Sequence, residues 1–315
     1  MKIITLTGCL GFMASHLTSL CLKMGWAVYG VDKCTYAANT QLLEKFQKYP
    51  RFEFKEIGIE NMDFIPDCDY VINMAAETHV DNSIIGDPAF ITSNIWGVSN
   101  ILELLNRRRN TARPPILLHF STDEVYGDIH EGLFHEDSLL NPSNPYAATK
   151  AAGDMIIQAW ARTFEHKYIL VRPTNNYGEY QYPEKLIPIA VKNLQREHPI
   201  ILHDKGTPER TWLHAKDTAK AIFMLMNQEI TEGVFNVSGP DILPNIDIVK
   251  AIIKAFHGSE NDWEQYVDLS HNRQGQDVRY AVDDSKIKSL GWSPTHRVID
   301  DIPDLVGHFK KFYRW

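Results

Sequence analysis

Short apolar runs alternate with amphipathic segments through the first half of the chain. Helical periodicity separates the runs and is clearest over residues 88–106 and 146–163. Strands that alternate with helices are typical of a parallel sheet covered on both faces. The pattern therefore predicts an α/β fold with a doubly wound parallel sheet. Its predicted strands are residues 2–7, 27–31, 52–57, 70–74, 116–120 and 168–172.

The second half of the chain is less regular and predicts a second, interleaved domain. Residues 175–185 form a polar, aromatic loop of the kind that holds a ligand over a rigid scaffold. Regular structure returns with a strand at 212–214, a helix at 217–226 and a strand at 234–237. We expect a larger domain formed by residues 1–174 and about 212–237, and a smaller C-terminal domain formed by 175–211 and 238–315.

The first predicted strand leads into a glycine turn that precedes a helix. Gly8 and Gly11 let the backbone approach a pyrophosphate closely, and the helix N-terminus offers free N–H groups. Asp32 ends the second strand, about 20 residues further on, where a carboxylate accepts hydrogen bonds from ribose hydroxyls. This order predicts a Rossmann-type site for NAD in the larger domain, although adjacent Lys33 leaves NADP open.

A group of acid, base and hydroxyl side chains lies between the fifth and the sixth predicted strands. Tyr146 and Lys150 are four residues apart and share a face of the predicted helix. A cation there lowers the pKa of the phenol, which makes it a usable general base for an alcohol proton. Thr122 can hold that alcohol, and Asp123 and Glu124 add two carboxyl groups. With the cofactor site, these residues predict an enzyme that oxidises and dehydrates.

Composition and charge narrow the class of protein further. The 315-residue chain has a net charge of −8, which gives no overall attraction to nucleic acid or to an anionic membrane. Its four cysteines and thirteen histidines show neither disulfide nor metal-ligand spacing. No apolar stretch reaches the ~18 residues of a membrane span, and no leader segment precedes the first strand. We expect a cytoplasmic protein that uses no metal ion.

Taken together, the motifs resemble the extended short-chain dehydrogenase/reductase family, and within it the nucleotide-sugar 4,6-dehydratases. The likeness covers nearly the whole chain. It is carried by Gly8-x-x-Gly11, Asp32-Lys33-x-Thr35, Ala75-Ala76-Glu77-Thr78, Ser121-Thr122-Asp123-Glu124, Tyr146-x-x-x-Lys150, Asn175-Asn176-Tyr177-Gly178, Pro183-Glu184-Lys185-Leu186, Arg210-x-Trp212 and Arg273-x-x-x-Asp277.

The resemblance implies a bound NAD that first accepts and then returns a hydride. It implies that Tyr146, with Thr122 and Lys150, removes the proton of the sugar C4 hydroxyl. Glu124 would then remove the C5 proton while protonated Asp123 protonates the departing C6 hydroxyl. The substrate would be a nucleotide-linked hexose, such as dTDP- or UDP-glucose, and the product a 4-keto-6-deoxy sugar.

The same resemblance implies two sets of binding residues. Cofactor contacts are implied for Gly8, Gly11, Phe12, Met13, Asp32, Lys33, Thr35, Ala75, Ala76, Tyr146 and Lys150. Substrate contacts are implied for Thr78, Asn175, Glu184, Lys185, Leu186, His203, Arg210, Asn236 and Arg273. The smaller domain would thus bind the nucleotide sugar.

Some positions depart from the family pattern. Gly58-Ile59 stands where an adenine-contacting aspartate often follows the third strand, and His203 where a tyrosine commonly faces the base. Gln274-Gly275-Gln276 replaces a Pro-Gly-His sequence. The first departure concerns the adenine contacts of the cofactor, and the other two leave the nucleotide base of the substrate open. An epimerase or decarboxylase, a dehydratase of an N-acetylhexosamine, and a cofactor-binding protein without activity remain alternatives.

Two helical segments also resemble those through which relatives pair. Residues 88–106 and 146–163 therefore predict a homodimer with a four-helix interface. The same apolar pattern would also serve packing within one chain. The predicted interface core is formed by Ile91, Ile95, Val98, Ile156 and Trp160.

Overall fold

A computed structural model of the protein describes residues 1–273 and 277–312, so the Gln274-Gly275-Gln276 departure lies outside the described residues. The strands are β1 (Ile3–Thr7), β2 (Ala27–Asp32), β3 (Phe52–Glu56), β4 (Tyr70–Asn73), β5 (Ile116–Phe120), β6 (Tyr168–Pro173), β7 (Asn175–Tyr177), β8 (Ile200–Ile201), β9 (Glu209–His214), β10 (Gly233–Val237), β11 (Asp241–Pro244) and β12 (Val267–Asp268). The α-helices are α1 (Phe12–Lys23), α2 (Gln41–Phe46), α3 (Val80–Ile85), α4 (Ala89–Ile91), α5 (Gly97–Arg107), α6 (Pro145–Phe164), α7 (Leu186–Gln195), α8 (Ala215–Asn227), α9 (Asn245–His257), α10 (Ser285–Ser289) and α11 (Val298–Lys311).

The larger domain is built on a seven-stranded parallel sheet in the order β10-β6-β5-β4-β1-β2-β3. The six strands predicted in the first half of the chain are all present, and helices cover both faces. One face packs against α1 and α8 through residues such as Leu17 and Ile222, and the other against α5 and α6 through Ile101 and Ile157. The predicted doubly wound fold is confirmed.

The smaller domain has its own sheets and its own core. A three-stranded sheet has the order β11-β9-β7, and β12 pairs with β8. Helices α7, α9 and α11 pack together through Val191, Ile252 and Leu305. The predicted return to the larger domain at residue 212 is too early, because Trp212 pairs with Asn175 and Asp241 in the small sheet. The chain returns to the larger domain with α8.

The predicted helix over 88–106 is interrupted by a turn of π-helix at Thr92–Trp96. Asn94 lies in this turn, and its side chain accepts a hydrogen bond from Glu77 N and donates one to Glu77 O, both at 3.0 Å. Val98 follows the turn and is only 2% exposed, so its predicted place in a dimer interface is wrong. Trp96, by contrast, is 66% exposed.

Within the described residues, no helix combines the length and the apolar character that crossing a membrane requires.

Candidate active site

The carboxyl ends of the central strands open onto a cavity of about 760 Å³ between the two domains. It brings together most of the predicted catalytic and substrate-binding residues, although they come from distant parts of the chain. Its lining includes Phe12, Met13, Thr78, Thr122, Asp123, Glu124, Tyr146, Asn175, Glu184, Lys185, Leu186, His203, Arg210 and Arg273.

A narrower groove of about 100 Å³ lies over the ends of β1, β2 and β3. It is lined by seven further predicted cofactor residues, Gly8, Gly11, Asp32, Lys33, Thr35, Ala75 and Ala76, whereas Lys150 lines neither the groove nor the cavity. The groove and the cavity together run along the sheet edge at which open α/β folds bind ligands.

Backbone geometry forms the glycine turn at one end of this groove. Gly8 has a φ of +68°, and a Cβ there would lie 2.9 Å from the Cα of Ala75. Gly11 N donates to Gly8 O at 2.8 Å, and α1 begins at the next residue. The turn therefore leaves a close-approach surface at a helix N-terminus, which suits a pyrophosphate.

Asp32 is held in place by the backbone around it. Its two carboxylate oxygens accept hydrogen bonds from Leu10 N at 2.9 Å and Cys34 N at 2.8 Å. Burial raises the pKa of Asp32, while these N–H groups favour the charged form. Each oxygen keeps a lone pair for a ribose hydroxyl. Lys33 is paired with Glu77 at 3.3 Å, so its ammonium is already engaged.

The two adjacent carboxyl groups occupy different environments. Asp123 is 3% exposed, and its Oδ2 has no hydrogen-bond partner among the described residues. Burial and the neighbouring charge of Glu124 raise the pKa of Asp123 to about 8. Glu124 is partly exposed, and its Oε2 accepts from Asn144 Nδ2 at 3.2 Å and from the Tyr280 hydroxyl at 3.5 Å. Two carboxyl groups in such different environments can serve as one general acid and one general base.

Helix α6 positions Tyr146 and Lys150 as predicted. Asn144 caps the helix by accepting a hydrogen bond from Ala147 N at 2.9 Å, and Pro145 occupies the first turn. Tyr146 and Thr122 both line the cavity. Lys150 lies beneath it, 3% exposed.

The expected lowering of the Tyr146 pKa is wrong for the site as described. Burial, followed by the charge of Glu124, raises that pKa instead. Lys150 donates to the carbonyl of Phe120 at 2.6 Å, so its ammonium already makes a hydrogen bond to the backbone. Burial lowers the pKa of Lys150 to about 8, and the charge of Asp154 opposes that shift.

A polar network beneath Lys150 was not predicted from the sequence. His119 Nε2 lies 3.5 Å from Lys150 Nζ, and His119 Nδ1 lies 3.0 Å from Asn73 Nδ2. Thr7 donates to Asn73 Oδ1 at 2.7 Å, so the network reaches the first strand. Burial lowers the pKa of His119 well below its usual value and keeps the ring neutral. The sequence signal that could have revealed this network is the presence of polar residues within otherwise apolar strands.

Asn236 does not line the cavity, so the predicted substrate contact is wrong. It is fully buried on β10, where its Oδ1 accepts from the Tyr126 hydroxyl at 2.8 Å and its Nδ2 donates to Asp283 O at 3.0 Å. Tyr126 in turn accepts from Arg172, which forms a buried ion pair with Asp154 at 2.9 Å. These contacts join β10 and β6 to neighbouring turns and to α6.

Three cationic side chains face the large cavity. Arg210 lies 4.4 Å from the centre of the Tyr280 ring, and Arg273 pairs with Asp81 at 2.9 Å. Lys185 donates to the carbonyl of Thr78 at 2.9 Å, and burial lowers its pKa. Such a concentration of positive charge suits a ligand that carries a diphosphate.

His203 lies at the far side of the same cavity, on the smaller domain. Its Nδ1 is buried and has no hydrogen-bond partner among the described residues. An imidazole nitrogen in this position can donate to or accept from a nucleotide base.

One group of side chains has the proximity of metal ligands. Atoms of His214, His296 and Asp301 lie within 4.8 Å of one another. Their contacts have another explanation, because His296 Nδ1 lies 3.0 Å from Asp301 and His214 Nδ1 accepts from Lys216 N at 3.0 Å. The two rings stack at 4.0 Å. We assign no metal to this cluster, which joins α8 to α11.

Fold and site together define an extended short-chain dehydrogenase/reductase. The chain belongs to the family described as GDP-mannose 4,6 dehydratase, whose profile matches residues 5–303. A dTDP-glucose 4,6-dehydratase of Streptomyces niveus is 34% identical over 323 residues, which cover 99% of this chain and 94% of the relative.

Two solved structures extend this comparison. The dTDP-glucose 4,6-dehydratase of Streptomyces venezuelae, crystallised with NAD bound, superposes with a TM-score of 0.89 at 31% identity and covers 98% of this chain and 97% of its own. The UDP-glucuronic acid 4-epimerase of Bacillus cereus has a TM-score of 0.91 at 24% identity, over 99% and 100% of the two chains. At that identity the epimerase shows the shared fold alone.

Proposed function

We propose that the protein is an NAD-dependent 4,6-dehydratase of a nucleotide-linked hexose, with dTDP- or UDP-glucose as its substrate. It would convert the sugar to the 4-keto-6-deoxy form and release water. The relatives with this activity support the proposal, and so does the match between the cavity residues and the chemistry.

The observation that carries the proposal is the buried carboxyl of Asp123, whose Oδ2 has no hydrogen-bond partner among the described residues, beside the partly exposed Glu124. An elimination needs one group that removes a proton and another that protonates the leaving hydroxyl. An epimerase or a decarboxylase that oxidises C4 needs no acid for a C6 leaving group. The position of Asp123 in the cavity therefore favours dehydration over both alternatives.

NAD, when bound, would supply the hydride acceptor for oxidation at C4 and the hydride donor for reduction at C6. Gly8 and Gly11 would hold its pyrophosphate at the N-terminus of α1, and the Asp32 carboxylate would accept from its ribose hydroxyls. Its positive charge would also offset the carboxylates that raise the pKa of Tyr146.

The protein side chains then move three protons. Tyr146 takes the proton of the C4 hydroxyl, which Thr122 positions, as the C4–H bond breaks. The ketone at C4 acidifies the C5 proton, and Glu124 removes it. Asp123 gives its proton to the C6 oxygen as the C6–O bond breaks, so that water leaves and a C5–C6 double bond forms. When the hydride is returned to C6, Glu124 would give its proton back to C5, which completes the 4-keto-6-deoxy sugar.

Product analysis with several nucleotide sugars tests this proposal. Purified protein is incubated separately with dTDP-, UDP-, GDP- and CDP-glucose and with UDP-N-acetylglucosamine. We expect the loss of one water by mass spectrometry and a base-induced absorbance from the 4-ketone with at least one of them. A product of unchanged mass but altered stereochemistry would show an epimerase instead, and turnover of UDP-N-acetylglucosamine alone would reassign the sugar.

We also propose a cytoplasmic homodimer. The four cysteines are free thiols, which fits a reducing compartment. Ile91, Trp96 and Met155 are 55%, 66% and 61% exposed on neighbouring segments of α4 to α6, and together they form an apolar surface that a second copy would cover.

Light scattering of the wild-type protein and of two variants tests the dimer. We expect a dimer mass for the wild type and a monomer mass for Trp96→Glu. Leu139→Glu is the matched control, because Leu139 is 88% exposed outside these helices. A monomeric wild type at micromolar concentration would contradict the proposal.

A further inference from the structure

The narrow groove ends in a carboxylate that no sequence motif predicted. Glu60 lies in a short 3₁₀ turn after β3 and lines the groove with Gly58 and Ile59. Asp32 lines the same groove at the end of the adjacent strand β2. The groove is thus lined by three acidic side chains, Asp32, Glu60 and Glu77, and Glu77 is paired with Lys33.

Gly58 is what allows Glu60 to point back into the groove. A Cβ at Gly58 would lie 2.4 Å from Glu60 Oε1 and 2.7 Å from Oε2. The backbone of Gly58 is extended, with φ −73° and ψ 146°, which any residue adopts. The need for glycine here is therefore one of space and not of backbone conformation.

One carboxylate oxygen of Glu60 has no hydrogen-bond donor among the residues that the structure describes. This oxygen, Oε2, is buried. Buried polar atoms in folded proteins nearly always have a partner, and carboxylates have the most to lose without one. A ligand in the groove can supply the missing hydrogen bond.

This step rests on the proposed function, in which the ligand is NAD. The order of the residues along the groove then identifies the hydrogen-bond donor. The Gly8 turn faces the pyrophosphate and Asp32 the adjacent ribose, so the base lies further along, toward Glu60. Adenine carries an exocyclic amino group, which donates hydrogen bonds. Hypoxanthine has a carbonyl oxygen at that position, which only accepts.

We propose that Glu60 accepts a hydrogen bond from the exocyclic amino group of the NAD adenine, and that this contact makes the site selective for adenine. Gly58 is the positioning residue, since it clears the space in which the Glu60 side chain lies. Neither residue takes part in the chemistry at the sugar.

A competition experiment measures this selectivity directly. Purified protein is incubated with equal concentrations of NAD and nicotinamide hypoxanthine dinucleotide until the bound ratio is constant. Protein is then separated and denatured, and the released dinucleotides are quantified by mass spectrometry. We expect the wild type to prefer NAD by about tenfold or more, the usual effect of one hydrogen bond to a charged group.

Variants test whether the selectivity for NAD comes from the Glu60 contact or from the rest of the site. Glu60→Ala should bring the bound ratio close to one, and Glu60→Gln should do nearly the same because its amide can donate to the hypoxanthine oxygen. Gly58→Ala should also lower the ratio, because its methyl group displaces the carboxylate without removing it. Glu53→Gln, on the exposed side of β3, is the matched control and should keep the wild-type ratio.

The outcomes distinguish this inference from the proposed function. A wild type that binds both dinucleotides equally, or a Glu60→Ala variant that keeps the wild-type ratio, would overturn the contact. A wild type that binds neither dinucleotide would instead overturn the cofactor. Circular dichroism checks that the variants fold, and if Glu60→Ala does not, the nearly isosteric Glu60→Gln decides the result.

Discussion

The cofactor groove and the substrate cavity are built by different means. The groove is shaped by backbone, as at Gly8, where a single Cβ would collide with Ala75. The cavity is shaped by side chains that several segments contribute, such as Glu124, Lys185 and Arg273. The shape of the groove should therefore be most sensitive to changes at glycine, and the shape of the cavity to changes of side chain.

The largest expected effect lies in the cavity and follows from Tyr146→Phe. The first hydride transfer should slow by a factor on the order of 10² to 10⁴, since the general base for the C4 hydroxyl is lost. Single-turnover absorbance of the reduced nicotinamide measures this step. Tyr266→Phe, a partly exposed tyrosine of the smaller domain, should leave the rate unchanged. Equal rates in both variants would remove Tyr146 from the role of base.

Substitutions at the two carboxyl groups should distinguish the acid from the base within the cavity. Glu124→Gln and Asp123→Asn should each slow elimination by about 10² or more while sparing oxidation, so reduced nicotinamide accumulates. In deuterated water, Asp123→Asn should still exchange the C5 proton and Glu124→Gln should not. Glu131→Gln, an exposed control, should behave as the wild type. C5 exchange in both active-site variants would contradict the assignment of Glu124 as the base.

A matched pair of glycine substitutions tests the groove. Gly8 and Gly132 both have positive φ, at +68° and +81°, but a Cβ at Gly132 meets nothing within 4 Å. Gly8→Ala should lower NAD retention by about tenfold or more, through strain and collision with Ala75. Gly132→Ala should retain NAD. Full NAD content in purified Gly8→Ala protein would show that the turn does not need to approach the cofactor closely.

The smallest effect is a pH limit on elimination. Asp123 must carry a proton to act as the acid, and its pKa is raised to about 8, so the proton is present below that pH and lost above it. The elimination rate should fall toward a tenfold loss per pH unit above about pH 8. The slow residual elimination of Asp123→Asn should lack this dependence. The same alkaline fall in both proteins would assign it to another group, such as Lys150.

Local sequence patterns were sufficient to predict the central sheet. They could not predict contacts between residues that are far apart in the chain. The strands around Gly8 and Asp32 were predicted because each apolar run and each turn residue lies within one short segment. Glu60 could not be predicted, because its importance depends on the space that Gly58 leaves. Asn236 was misplaced for a related reason, since its partner Tyr126 lies 110 positions away in the chain.

Side-chain chemistry was predicted better than electrostatics. The spacing of Tyr146 and Lys150 correctly placed both on one helix. Their pKa values depend on burial and on contacts with Phe120 and Glu124, which no spacing rule contains. The placement of these two side chains on one helix is thus a local property, and their protonation is a property of the folded molecule.

The turn of π-helix at Thr92–Trp96 limits how this region can change in length during evolution. A π turn accommodates one more residue than an α turn over nearly the same rotation, so deleting one residue from it would restore a regular helix and leave Val98 facing the core. The wide turn that directs the Asn94 side chain to Glu77 would be lost. Surface helices usually accept substitutions freely. Here we expect related sequences to vary in residue type along this segment while keeping its number of residues constant.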